Sequence, residues 1–268
     1  METTNHRGLK IAVSGKGGVG KSTLAAALIH LAAREGKRIL AIDADPAMSL
    51  AASLGMGEED RRRIVPIAER RALIEERTGA KVRQYGQIFR LNPDVDDIAE
   101  KESACFRGIH LLVLGAIERG GSGCACPESV ILKALLDDIV LRKDDCVVID
   151  FEAGLEHLGR ATARGVDLLL ILAEPGRRAV ETAEAIRRMA GQIGVPRIAF
   201  AGNKAAGPDD EEFLRRSFAP EEYLGTIPFD AAVRRADREG LTLLDIAPPE
   251  LGRCLAQIWE KVKARAGC

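Results

Sequence analysis

The sequence predicts an α/β fold, a doubly wound and mostly parallel sheet of about seven to eight strands with helices on both faces. Three observations lead there. Short apolar runs rich in β-branched residues recur along the chain, segments with helical spacing separate them, and 268 residues with 46% hydrophobic content suit one core. Residues 1–268 are therefore expected to form a single domain.

Taken in order, LKIAVS (9–14) reads as the first strand and Leu24, Leu28 and Leu31 as the buried stripe of the helix after it. RILAID (38–43) is the second strand. The stretch from Glu58 to Arg83, dense in Arg and Glu, reads as an exposed helix behind it. GIHLLVLG (108–115) is a third strand, and Ile131, Leu135 and Ile139 mark a helix that starts near Pro127. CVVID (146–150) and DLLLILAE (167–174) follow, then a helix carrying Ile186, Met189 and Ile193, then RIAFAGNK (197–204) and YLGTIP (223–228). After Pro248-Pro249, residues Leu251, Leu255, Ile258, Trp259 and Val262 form one apolar stripe. Its polar face is mixed in charge, so packing on the domain is expected rather than a membrane surface. Strands alternating with helices imply parallel pairing.

Composition narrows the partners. With 39 basic and 40 acidic side chains the formal net charge is −1, which argues against general binding to nucleic acid or anionic membrane. No secretory pattern and no long apolar span is visible, so a cytoplasmic location is expected. Six cysteines spread over this length do not read as a disulfide framework. Reduced thiols are available to metals.

GKGGVGKS, Gly15 to Ser22, lies between the first strand and a helix, the setting of a phosphate-binding loop. Glycines let successive N–H groups converge on phosphate, and the helix N-terminus adds a favourable dipole. Gly15, Gly17, Gly18, Val19, Gly20 and Thr23 are thus expected to surround ATP or ADP, with Lys21 on the β/γ phosphates and Ser22 on Mg²⁺. DADP ends the second strand with Asp43 and Asp45, and CVVIDFEAG carries Asp150 and Gly154 at the end of another.

The lysine directly after the first glycine sharpens this pattern. In GKGGVGKS with Lys16, the chain resembles the deviant Walker A class, which includes MinD, ParA and the nitrogenase iron protein. That resemblance implies a P-loop fold of the MinD-like kind and a homodimer in which Lys16 contacts phosphates held by the other subunit. It implies that Asp45 positions the attacking water, that Asp43 supports the metal's outer shell, and that Gly154 offers an amide to the γ-phosphate. Asn203, Lys204 and Pro228 fall where the class binds adenine. Some relatives carry a further aspartate after the DADP proline, where this chain has Ala47-Met48-Ser49.

GSGCACPE places Cys124 and Cys126 one residue apart, flanked by Gly121 and Gly123, at the mouth of the helix near Pro127. A soft-metal cage wants four ligands, and two chains related by a two-fold axis supply four thiolates. Here the chain is similar to the CooC-type ATPases over nearly its full length, in IERGGSGCAC, LNPDVDD, AEP, GNK and AGLEHLGRATARGVD. The resemblance implies an ATPase that assists nickel insertion into carbon monoxide dehydrogenase, with Ni²⁺ or Zn²⁺ between subunits at Cys124 and Cys126. Acetyl-CoA synthase as client, or a MinD/ParA-type spatial regulator, stand as alternatives. Glu156-His157 read as a helix start or packing pair, and Cys105, Cys146, Cys254 and Cys268 as buried or incidental thiols.

Overall fold

The computed structural model describes residues 8–45, 47–82, 84, 87–115, 126–137, 144–152 and 165–267. Cys124, Gly154, Pro46, Gly121, Gly123, Ile139, Cys268 and the Glu156-His157 pair lie outside the described residues.

Among the described residues, eight strands form one sheet: β1 (Leu9–Gly15), β2 (Arg38–Ala44), β3 (Ala104–Phe106), β4 (Ile109–Val113), β5 (Asp145–Phe151), β6 (Leu168–Ala173), β7 (Ile198–Ala205) and β8 (Tyr223–Pro228). Their order is β3-β4-β2-β5-β1-β6-β7-β8, parallel throughout except for the β3–β4 pair. Every residue of β1 and of β6 is buried, as strands covered on both faces must be. β1 lies between β5 and β6, so the chain's first loop opens at the middle of the sheet.

Among the described residues the helices are α1 (Lys21–Arg34), α2 (Leu50–Ser53), α3 (Glu58–Arg62), α4 (Arg71–Thr78), α5 (Ile98–Glu102), α6 (Pro127–Asp137), α7 (Arg177–Ile193), α8 (Pro208–Ser217), α9 (Ala231–Glu239), α10 (Leu243–Ile246) and α11 (Pro249–Ala266). Strand side chains alternate between two cores. Ile11, Val13 and Val148 pack with α1 and α11 on one face; Ala12, Ile149 and Ile171 pack with α6 and α7 on the other. The stripe of α11 is buried as expected, and Trp259, 2% exposed, donates from Nε1 to Glu35 Oε1 at 2.8 Å. That bond ties the last helix to the end of α1.

Two expectations change. The Glu58–Arg83 stretch is not one exposed helix, because α3 stops before Pro66 and a short 3₁₀ turn, Ile67–Glu69, precedes α4. Ile67 and Ile74 are fully buried within it, so its charge density hides a packed segment. The other change is an added strand, β3, whose three residues are too few to register as an apolar run.

Candidate nucleotide and thiol site

The loop between β1 and α1 is shaped by its glycines. Gly20 has φ +100°, and a Cβ there would meet Asn203 Nδ2 at 2.5 Å. Gly15 has φ +150°, and its Cβ would lie 2.7 Å from the Leu172 carbonyl oxygen on β6. Only glycine fits both places. Val19 is buried and plugs the loop from below, while Lys16, Gly17 and Gly18 stand exposed at its crest. Lys21 begins α1 and is 6% exposed, so its charge is directed inward.

One side of the loop is walled by carboxylates. Asp43 and Asp150 are register neighbours on β2 and β5, at the carboxyl edge of the sheet beside the loop, and both are fully buried. Burial raises Asp150 to about 7; the Asp43 charge adds to the rise, while the Ser22 hydroxyl and Lys21 oppose it. Although Ser22 faces it, neither Asp150 carboxylate oxygen has a hydrogen bond of good geometry among the described residues. Asp43 is raised to about 6, again by burial, against bonds from the Leu50 N–H at 3.0 Å and the Asp45 N–H at 3.1 Å. Asp43 thereby pins the loop that follows β2.

That loop is tightly wound. Asp45 accepts from the Ala47 N–H at 2.9 Å through Oδ1, and its carbonyl accepts from the Met48 N–H at 2.9 Å. Met48 takes φ +49°, a left-handed conformation uncommon for its type. Beyond it, Ser49 places its hydroxyl 2.7 Å from that of Ser22. Ser22, Ser49 and an unpartnered buried carboxylate make a set of hard oxygen donors, which fits Mg²⁺.

The other side of the loop differs in kind. A cleft of about 490 Å³ adjoins the loop, lined among others by Gly18, Thr23, Asn203, Pro228, Phe229 and Arg234. Asn203 donates from Nδ2 to the Val19 carbonyl at 2.7 Å. Lys204 sits at an irregularity in the β7–β8 pairing with φ +61°, and this turns its side chain back toward the loop. Its Nζ reaches the Gly18 carbonyl at 2.6 Å and Glu174 Oε1 at 2.5 Å. Phe229 is half exposed at the mouth, with the Arg234 guanidinium 5.1 Å from its ring centre.

Of the thiol pair, Cys126 is described. It occupies the position before Pro127, where its Sγ accepts the Ser129 N–H at 3.4 Å and its own N–H donates to Ser129 Oγ at 3.2 Å. Reciprocal bonds of this kind cap a helix, so the sulfur faces the positive end of the α6 dipole. Among the described residues no group of three or more His, Cys, Asp or Glu side chains is arranged to hold a metal ion.

The structure thus gathers Gly15 to Thr23, Asp43, Asp45 and Asp150 at one sheet edge, with Asn203, Lys204 and Pro228 beside them. Sequence reasoning missed Ser49, Glu174 and Ser129. Ser49 was visible only as the residue standing near a missing aspartate; the other two act through contacts between segments distant in sequence or through a cap whose acceptor is sulfur.

Comparison with known proteins gives the same frame. Residues 10–243 match the CobQ/CobB/MinD/ParA nucleotide binding domain. The chain is 44% identical over 240 residues to the carbon monoxide dehydrogenase accessory protein CooC of Rhodospirillum rubrum, covering 90% of this chain and 91% of that one. It is 42% identical to an uncharacterized ATP-binding protein of Methanocaldococcus jannaschii, over 85% and 88% of the two chains. Among solved structures, the cell division ATPase MinD of Pyrococcus furiosus superposes with a TM-score of 0.66 at 21% identity, covering 95% and 98%. A plasmid partition protein of Borrelia burgdorferi bound to AMPPNP gives 0.67 at 18%, with the same coverage.

Proposed function

The chain belongs to the CobQ/CobB/MinD/ParA nucleotide-binding family as a CooC-type ATPase, and from that premise we propose that it is an ATP-dependent dimerising metallochaperone that assists nickel insertion into carbon monoxide dehydrogenase. The observation that carries this reading is the capping sulfur of Cys126, a thiol set at a helix N-terminus and the second of a C-x-C sequence, in a chain 44% identical to a carbon monoxide dehydrogenase accessory protein.

In this reading the loop amides from Lys16 to Ser22 and the Lys21 ammonium bind the phosphates, and the cleft beside Asn203 and Pro228 takes the adenosine. Ser22 and Asp150 would hold Mg²⁺, with Asp43 shaping the surrounding loop. When bound, Mg²⁺ neutralises charge that builds on the phosphoryl oxygens. Asp45 orients the attacking water once the nucleotide draws it out of its turn with Ala47. Lys16, exposed at the crest, reaches the phosphates of the facing protomer. Gly154 lends its amide to the γ-phosphate.

Cys124 and Cys126 of two protomers form a four-thiolate site that takes Ni²⁺ as cargo, or Zn²⁺ in its stead. Coupling between nucleotide and cargo requires that the ATP and ADP states hold the ion differently. Hydrolysis then releases nickel to the client. The test is activation of nickel-free carbon monoxide dehydrogenase by Ni²⁺, this protein and ATP. Activation should vanish with Cys126→Ser and with Lys16→Ala. Equal activation by either variant overturns the reading.

A further inference from the structure

The β3–β4 hairpin stands apart from the nucleotide site and carries a second arrangement of metal-ligating side chains. Cys105 and His110 lie directly opposite one another in its antiparallel register. The two strands are joined by Arg107 and Gly108, with φ 49° and 78°. Two successive left-handed residues mark a type I′ turn. In such a hairpin the residues flanking the turn, here Phe106 and Ile109, form the hydrogen-bonded pair. The next pair outward is the non-hydrogen-bonded one, in which side chains come closest. Cys105 and His110 are that pair.

Residues opposite one another project from the same face, with Cβ atoms about 5 Å apart. Both are exposed, and Cys105 is a free thiol. The other two pairs of the hairpin, Ala104 with Leu111 and Phe106 with Ile109, turn toward the core face. The Ser103 hydroxyl lies 3.0 Å from His110 Nδ1. That contact holds the imidazole and leaves Nε2 as its open ligand atom, the usual relation of a second hydrogen bond to a metal-binding histidine.

We propose that Cys105 and His110 form a two-ligand surface site for a soft or borderline divalent cation, of the Ni²⁺, Zn²⁺ or Co²⁺ class, with water completing the coordination. Bond lengths of about 2.3 Å to sulfur and about 2.0 Å to nitrogen put the two donors about 3.5 Å apart around a tetrahedral ion. Side chains of a non-hydrogen-bonded pair span that gap without backbone movement. Thiolate with imidazole selects such ions over Mg²⁺ or Ca²⁺, which want oxygen. β4 runs parallel to β2, and His110 lies near its start, whereas Asp43 and Leu114 lie at the opposite, nucleotide-binding edge. Occupancy is therefore independent of nucleotide.

The test is a Co²⁺ titration of the full-length chain carrying Cys124→Ser and Cys126→Ser, which removes the thiols of the proposed interfacial site and makes the result independent of that proposal. A thiolate-to-cobalt charge-transfer band should saturate at one ion per protomer, with the same affinity in the presence and absence of an ATP analogue. Adding Cys105→Ser should abolish it. Adding His110→Ala should weaken binding on the order of tenfold or more, with the far-ultraviolet circular dichroism unchanged. No band in the starting chain, a band that survives Cys105→Ser, or an affinity indifferent to His110→Ala overturns the proposal.

Discussion

The two sides of the nucleotide site are built on opposite terms. On the side proposed for the base, Asn203 and Lys204 already hold the Val19 and Gly18 carbonyls, and Lys204 is also paired with Glu174. On the phosphate side, Asp150 is buried without a good hydrogen bond, and it and Asp43 sit far above the ordinary carboxylate range. One side is satisfied before any ligand arrives. The other carries a desolvation cost that a cation and a polyphosphate relieve. Under the proposed function the difference predicts where nucleotide binding does its work: the Asn203 side would position the ligand, and the Asp150 side would change state.

The largest effect should follow from removing the inward-facing cation of the phosphate side. Lys21→Ala should lower the rate of ATP hydrolysis by about 100- to 1,000-fold, read as phosphate release. A loss under tenfold would mean that the loop amides alone carry the charge.

Next comes the pH dependence of stability without nucleotide. A carboxylate whose folded pKa is raised keeps a proton in the folded state that the unfolded chain has already released. Stability therefore falls as pH rises from about 4, and the loss is complete above about 7, the raised value of Asp150. The total is on the order of a few kcal/mol. Chemical denaturation at pH 5 and pH 8 should show this slope, and Asp150→Asn should flatten it while abolishing Mg²⁺-dependent hydrolysis. A wild-type chain as stable at pH 8 as at pH 5 would contradict the contrast between the two sides.

The base side should respond more mildly. Asn203→Ala removes one hydrogen bond to the loop and should weaken ATP binding about tenfold, consistent with a bond of roughly 1 kcal/mol plus the strain of an unheld carbonyl. Ser49→Ala, which removes one hydroxyl partner of Ser22, should weaken it about two- to fivefold. Isothermal titration with an ATP analogue measures both. If Ser49→Ala proved as damaging as Lys21→Ala, Ser49 would belong among the groups that hold phosphate or Mg²⁺ directly.

How far the sequence revealed this follows from the same physics. Strands β1, β2 and β4 to β8 are local apolar runs, and the loop motif is local in sequence, so periodicity and spacing disclose them. β3 is three residues long and owes its existence to pairing with β4. The break at Pro66 was readable as a proline, yet charge density drew attention away from Ile67 and Ile74. Cys105 looked isolated because spacing along the chain cannot show that a tight turn brings His110 across from it. Lys204 was expected at the base; its left-handed φ and its reach to Gly18 come from β7–β8 pairing, which no local pattern records.

In the proposed function Cys124 and Cys126 are half a metal site that ATP-driven pairing of two protomers completes. The most direct measurement is Ni²⁺ bound per protomer together with oligomeric state, with and without a non-hydrolysable ATP analogue. Wild type should form a nucleotide-dependent dimer holding one high-affinity ion between two protomers, and Cys126→Ser should lose that ion while still binding nucleotide. High-affinity nickel bound by the monomer, or a dimer ion unaffected by Cys126→Ser, would contradict it.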